Sequence, residues 1–341
     1  MYIILALLLL NLLVIVHEGG HFLAARLCGI EVVEYAVGMG PLLLQKTTRR
    51  NTKISLRLLP IGGYCMFYDE EEGKDPRALN NQSMWKRALT IAAGPAMNFL
   101  TAYLAVVIYL SALGLNTPVG VVGATEANSA AAGLAAGDRI VAVNGTAVST
   151  PVEISTEISA SEGQNVTLTV EREGKKTEIS IDPFYDEQAE RWRVGFSFAQ
   201  QRQRVPLSES IPFSARYNME SAMLIVRTLK GLITRGQGAE GVTGPVGTVY
   251  AISEMTRVGG IDMVFELLAV ISVNLGIMNL LPIPGLDGSR LLFLLVEAVR
   301  RKPISPEIES RIHLAGFVLL IGLMVLLTYK DILGIATGTL L

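Results

Sequence analysis

A polytopic α-helical membrane protein with one folded domain outside the bilayer is the architecture this sequence predicts. Three observations predict it. Half of the 341 residues are hydrophobic and only 18% are charged, well below the quarter or so usual in soluble domains. Four stretches are apolar over, or close to, the roughly 20 residues that a hydrocarbon core demands. Lysine and arginine concentrate in two of the connecting segments, which fixes an expected orientation. The net charge of −2 gives no basic excess, so nucleic acid is excluded as a partner and the lipid bilayer is the expected surrounding.

The elements follow in order. The first span covers about 1–27, and Met1–Val16 carries no charge. A signal peptide would show a basic leader and a small-residue cleavage site. His17, Glu18 and His21 stand there instead, so this helix is expected to be retained. The segment 27–87 holds nine lysines and arginines, and Ile54, Leu56 and Leu58 alternate in it with Ser55 and Arg57, the period of a strand. The second span, about 88–115, is uncharged throughout.

Residues 116–185 read as a small mixed α/β domain. Strand-like runs at Val119–Thr125, Arg139–Asn144, Asn165–Arg172 and Lys176–Ile181 are separated by a helical turn at Ala130–Ala136, the turns Asn144-Gly145 and Glu173-Gly174 and a helical stretch at Val152–Ser161. A connector, 186–262, contains Ile211, Phe213, Met219 and Met223 at helical spacing among polar residues, as in an amphipathic helix lying at the membrane surface. The third span is about 263–282 and the fourth about 311–335, and five further lysines and arginines fall within 283–312. Positive charge marks the cytoplasmic side. The segment 27–87 and the 283–312 loop are therefore expected inside, the N-terminus and 116–262 outside. Cys28 and Cys65 are the two cysteines, too few for a disulfide framework or a Cys-based zinc site.

His17-Glu18-Gly19-Gly20-His21 has the H-E-x-x-H spacing. Residues four apart share a helix face, so both imidazoles can meet one metal, with Glu18 about 100° round. A surface His pair would be the bland reading. It is weak here, because the motif ends a charge-free helix, where polar groups cost several kcal/mol unless they pair or bind metal. Two of the three histidines are in it. Catalytic Zn2+ takes three protein ligands and keeps one open position. Asp287, ending the third span in Asn279-Leu-Leu-Pro-Ile-Pro-Gly-Leu-Asp287-Gly288, is the strongest candidate for the third ligand, and His313 is the fallback. Glu266 and Asn274 compete in the same segment, but Glu266 lies too far up the helix to share that metal.

With those motifs in view, the chain resembles the bacterial site-2 protease family of intramembrane zinc metalloproteases, in particular the RseP/RasP type of regulated intramembrane proteolysis. The resemblance is carried by H-E-x-x-H with Phe22-Leu-Ala-Ala-Arg26, Gly38-Met-Gly-Pro41, Leu59-Pro-Ile-Gly-Gly-Tyr64, Ala93-Gly-Pro-Ala-Met-Asn98, Gly244-Pro-Val-Gly247 and the N-x-x-P-x-P-x-L-D-G block. It implies His17, His21 and Asp287 as zinc ligands and Glu18 as general base. Asn279, Pro282 and Pro284 are implied to position substrate, and a membrane-associated β-hairpin is implied at about 38–68. Through Gly133-Leu-Ala-Ala-Gly-Asp138-Arg-Ile140 and Val143-Asn-Gly145 the outer domain resembles a PDZ domain, with Leu115–Val119 as the candidate carboxylate loop. The implied partners are transmembrane proteins already cut once by another protease, such as anti-sigma factors or remnant signal peptides. A substrate segment added as a strand beside Ile54, Leu56 and Leu58 would satisfy its freed backbone. The rival reading is an inactive membrane scaffold that binds partners through its PDZ-like domain. A transporter would show repeated spans or a second broken helix. Two departures bear on substrate fit: Gly19, where relatives carry a bulky apolar residue, and Ser289-Arg290, where many carry Gly-His.

Overall fold

The computed structural model describes all residues except 69–74, 76, 188, 237, 239–241, 303, 340 and 341. In chain order its elements begin with α1 (Tyr2–Cys28), β1 (Val32–Thr47), β2 (Lys53–Phe67) and α2 (Met84–Ile108). Next come β3 (Leu115–Thr125), α3 (Ala127–Ala131), β4 (Arg139–Val143), β5 (Thr146–Ala147) and α4 (Pro151–Ser159). Then follow β6 (Val166–Arg172), β7 (Lys175–Ile181), β8 (Phe184–Asp186), β9 (Arg191–Arg193) and β10 (Phe196–Gln203). The chain ends with α5 (Leu207–Arg235), α6 (Pro245–Leu280), α7 (Asp287–Arg300) and α8 (Pro306–Thr337). They form two compact units, 1–109 with 207–341, and 110–206.

In the helical unit, α1, α2, α6 and α8 are long and apolar enough to cross a membrane. Helix α1 ends where Gly29 takes a left-handed conformation, φ 76°, which its missing Cβ permits. Helix α6 starts well before the expected third span and breaks at Gly260, φ 61° and ψ −142°. Lipid supplies no hydrophobic drive between helices, so association rests on close approach and hydrogen bonds. The sequence supplies both. A Cβ on Gly20 would lie 2.7 Å from Met97 Cγ, and one on Gly276 3.0 Å from Phe99 Cε2. Ser272 Oγ donates to the Asn98 carbonyl at 2.7 Å. Helix α5 buries Ser210 and Ser214 and leaves Ile211, Phe213, Met219 and Met223 exposed, the apolar face expected of it.

Strands β1 and β2 form an antiparallel pair, each bent so that it is used twice. Tyr35 lies opposite both Cys65 and Ile54, and Ala36 opposite both Tyr64 and Ser55. Gln45 and Lys46 cover the other side of Ser55 and Ile54. The expected hairpin is thus longer than 38–68 at its start and locally four rows wide.

The β-rich unit has strand order β10-β3-β4-β6-β7, with β5 on β4. Val122, Ile140, Val143, Ile154, Leu168 and Val170 are among its core. Helix α4 starts at a reciprocal cap, Thr150 Oγ1 accepting from Glu153 N–H and Glu153 Oε2 from Thr150 N–H, both 3.2 Å. Strand β10 pairs with β3 from Phe196–Thr125 to Gln203–Leu115, so the unit runs to residue 206 rather than 185. The same pairing puts Leu115–Val119, expected as a loop, inside β3.

Candidate metal centre

The floor of the site is one stripe of α2. Thr90, Gly94 and Asn98 recur every four residues, so they share a face, and α1 lays His17 and His21 across it. His21 Nδ1 donates to the Thr90 carbonyl at 2.9 Å. That hydrogen bond leaves the Nε2 lone pair free, the tautomer a metal ligand needs. The Asn98 carboxamide, fully buried, lies 3.2 Å from His17 Nδ1, and its oxygen has no other partner. With the amide oxygen turned to the ring, His17 Nδ1–H donates and its Nε2 is freed in the same way. Tyr35 Oη donates to the Ile15 carbonyl at 2.7 Å, bracing α1 just before His17. Burial pushes that phenol up to about 12, so it stays a donor.

Asp287 comes from the other end of the chain. Helix α6 stops at Leu280 and Asp287 opens α7, where an N-terminal dipole favours a carboxylate. Gly288 allows the return: a Cβ there would collide with the Leu280 and Leu281 carbonyls. Pro284 packs on Gly316 of α8, and Ser289 Oγ donates to the Leu286 carbonyl at 2.7 Å.

The three side chains converge. His17 Nε2 and His21 Nε2 are 3.2 Å apart; Asp287 Oδ2 lies 3.2 Å from the first and 3.3 Å from the second. Asp287 Oδ2 accepts no hydrogen bond. Metal–ligand bonds of about 2.05 Å in a tetrahedron give an edge of about 3.3 Å, so the triangle has the size zinc requires. Among the described residues this is the His/Cys/Asp/Glu group with such geometry. The donor set, two imidazoles and a carboxylate, fits zinc.

A cavity of about 550 Å³ opens on this triangle, and Glu18, Cys65 and Asn279 line it too. Glu18 accepts a hydrogen bond from the Cys65 backbone. Arg290 and His313 stand farther along the same wall. His313 Nδ1 accepts the Gly285 N–H at 3.0 Å, which uses that lone pair on the loop before Asp287 and sets His313 outside the ligand triangle. Pro282 and Pro284 shape the α6–α7 break and do not line the cavity.

Ile54, Leu56 and Leu58 do not form a free edge. The row 53–57 has 34–37 on one side and 42–47 on the other. Alternation shows that a segment is a strand but not what lies beside it. The outer row next to the metal site is 63–67, which pairs with 32–37, and its Cys65 and Phe67 line the cavity. Gly94 and Asn98 fall in the Ala93–Asn98 motif, but the sequence reading assigns neither them nor Thr90 a place at the metal centre, although their spacing of four within an uncharged span is there to be read.

Comparison with known proteins agrees with this geometry. The family model described as Peptidase family M50 matches residues 5–323. A protein of Agrobacterium fabrum is 33% identical over 97% of this chain and 95% of its own length. One of Clostridium acetobutylicum is 34% identical over 97% of each, and one of Nostoc 32% identical over 97% and 96%. All three carry the name "Putative zinc metalloprotease". Among solved structures, the PDZ domain of an SdrC-like protein from Listeria monocytogenes is 22% identical over 24% of this chain and 86% of its own, with a TM-score of 0.22.

Proposed function

The chain belongs to peptidase family M50, as a zinc metalloprotease with four helices fit to span a membrane, and from that premise we propose that it hydrolyses peptide bonds within transmembrane segments of single-span proteins. The observation that carries the proposal is the ligand triangle with Glu18 on the same cavity wall, set between helices of membrane-spanning length. His17 and His21 through Nε2 and Asp287 through Oδ2 would hold the ion. Bound zinc supplies a Lewis acid that polarises a carbonyl and acidifies water.

The chain's own residues do the rest. The Glu18 carboxylate takes a proton from the attacking water and delivers it to the leaving amine. Asn279 offers an amide to the substrate carbonyl. A substrate helix has its carbonyls hydrogen-bonded internally, so it must unwind before attack. The unwound segment lies along the cavity wall formed by Cys65 and Phe67, beside Glu18. From the lysines and arginines we place the basic residues of 27–87, whose sheet enters the membrane from that side, and the α6–α8 connection on the cytoplasmic side of a bacterial inner membrane and the β-rich unit outside. The substrates proposed are anti-sigma factors or remnant signal peptides already trimmed outside.

Glu18→Gln and Asp287→Asn test this together, with zinc measured by elemental analysis and cleavage on a model transmembrane peptide. Glu18→Gln keeps zinc and loses about 10²-fold or more in turnover, the lower bound for a general base. Asp287→Asn loses zinc as well. Full activity in Glu18→Gln sinks the mechanism. A wild-type chain that holds zinc and cuts no membrane peptide restores the scaffold reading.

A further inference from the structure

The turn between β1 and β2 has no part in the chemistry above, yet its composition and its level are specific. Lys46, Arg49, Arg50 and Lys53 stand within eight residues that contain no carboxylate. All four are exposed, and none makes an ion pair among the described residues. The nearby acids are already matched: Glu34 pairs with Arg57 at 2.9 Å and Glu31 with Arg77 at 2.7 Å. Two backbone hydrogen bonds close the turn. Thr48 N–H donates to the Thr52 carbonyl at 2.8 Å, and Asn51 N–H to the Thr48 carbonyl at 3.0 Å.

Its depth is fixed by α1. Arg26, near the C-terminal end of that helix, donates to Thr52 Oγ1 at 2.7 Å and to Thr48 Oγ1 at 3.4 Å. The opposite bend of the sheet, Pro60 and Gly62, lines an apolar cavity together with Leu10 and Val14 of α1. Twelve residues of helix from Val14 to Arg26 span about 18 Å, a little more than half of a hydrocarbon core about 30 Å thick. With the bend near mid-bilayer, the basic turn comes out at headgroup level. The rows between them present Leu42, Leu43, Leu44, Ile54, Leu56 and Leu58 outward, all exposed. An apolar body with an unmatched cationic rim is the composition of a surface that binds acidic lipid.

We propose that the 46–53 turn is a binding site for the headgroups of anionic phospholipids, anchoring the sheet whose far edge stands at the metal centre. A cation close to an acidic membrane surface contributes about fivefold to binding. The effect is electrostatic, so salt weakens it.

The test uses the full chain in detergent, titrated with phosphatidylglycerol or phosphatidylcholine and followed by native mass spectrometry. The wild type binds phosphatidylglycerol more tightly, and 0.5 M salt removes the difference. K46Q/R49Q/R50Q/K53Q lowers phosphatidylglycerol binding at least tenfold, and K46Q or R50Q alone about fivefold. R49K/R50K keeps the preference, and so does R227Q/K230Q on α5. Zinc content, read on the same samples, reports folding of each variant. A wild type without lipid preference, or a folded quadruple variant that keeps it, overturns the proposal. So does a quadruple variant with unchanged lipid binding that slows cleavage only of substrates bearing an acidic flank, since the turn then meets peptide rather than lipid.

Discussion

Gly94→Ala sets two effects of opposite sign against each other. Alanine is better than glycine in a helix interior by about 1 kcal/mol, so α2 alone would gain. The metal centre would not. A Cβ at position 94 would lie 2.5 Å from His21 Cε1 and 2.8 Å from His17 Cε1, and closer still to His21 Nε2. Carbon atoms sit comfortably at about 3.5 Å, so each ring must withdraw by roughly 0.7–1 Å. Relief by moving α1 away from α2 would undo the close approach of Gly20 to Ala93 and Met97. The displacement therefore falls on the imidazole torsions, where a metal site tolerates only about 0.2 Å in ligand distance. Zinc affinity is expected to fall about 100-fold or more, while the zinc-free protein melts within a few degrees of the wild type. Competition with a chromogenic chelator measures the first, and a thermal melt without zinc the second. Gly19→Ala is the matched control: its Cβ meets only Tyr35 Oη, at 3.6 Å, so zinc affinity stays at the wild-type value. A Gly94→Ala protein that binds zinc as tightly as the wild type would refute the reasoning.

Three further outcomes are expected. The Arg172 guanidinium beside Asp138 holds that carboxyl below the usual carboxylate range. A lowered folded value means its stabilisation is complete above the unfolded value of about 3.9 and is lost as pH falls through the folded one. Trp192 fluorescence in a Trp85→Phe background should show the β-rich unit weakening in that acid window, and Asp138→Asn should remove this pH dependence; superimposable acid profiles would count against it. Asp331 is fully buried and accepts the Gly244 and Gly247 amides at 3.0 and 2.7 Å. Asp331→Ala strands two buried donors and should cost about 2–4 kcal/mol, read as a lowered melting temperature; an unchanged one rejects this. A cysteine at Lys175 should react with an impermeant thiol reagent in intact cells, and one at Arg50 only after permeabilisation, with the opposite pattern inverting the proposed orientation.

The residues of the His17, His21 and Asp287 triangle were legible because each signal was local or sat in the wrong solvent. His17, Glu18 and His21 lie within five residues on one helix, and Asp287 is a charge closing an apolar stretch. Asn98 meets the second criterion, yet the sequence reading gives it a place in a motif and no role. It carries no charge, and its role depends on α1 crossing α2 at Gly20 and Gly94, a contact between segments some 70 residues apart. Of the two departures that the resemblance marks, Gly19 faces nearly open space, so a larger side chain has room there. Arg290 lines the cavity and so bears directly on what the site accepts.

Pairing was the least legible property, and it decides where a substrate strand could lie. The alternation at Ile54, Leu56 and Leu58 identifies strand β2 correctly, because period two is a property of one segment. Which of its rows lies outermost is a property of two segments, and it turns on the run Leu59-Pro-Ile-Gly-Gly-Tyr64. Gly62 takes φ 78°, a conformation that a side chain rarely adopts. A Cβ on Gly63 would lie 2.7 Å from the Ala36 carbonyl oxygen. The first glycine lets β2 turn back, and the second lets the returning row close against β1 at Val37. Bulk at either position would push this row away from β1 and with it the Cys65 backbone from Glu18. The glycine pair is therefore the corner that brings the row 63–67 to Glu18.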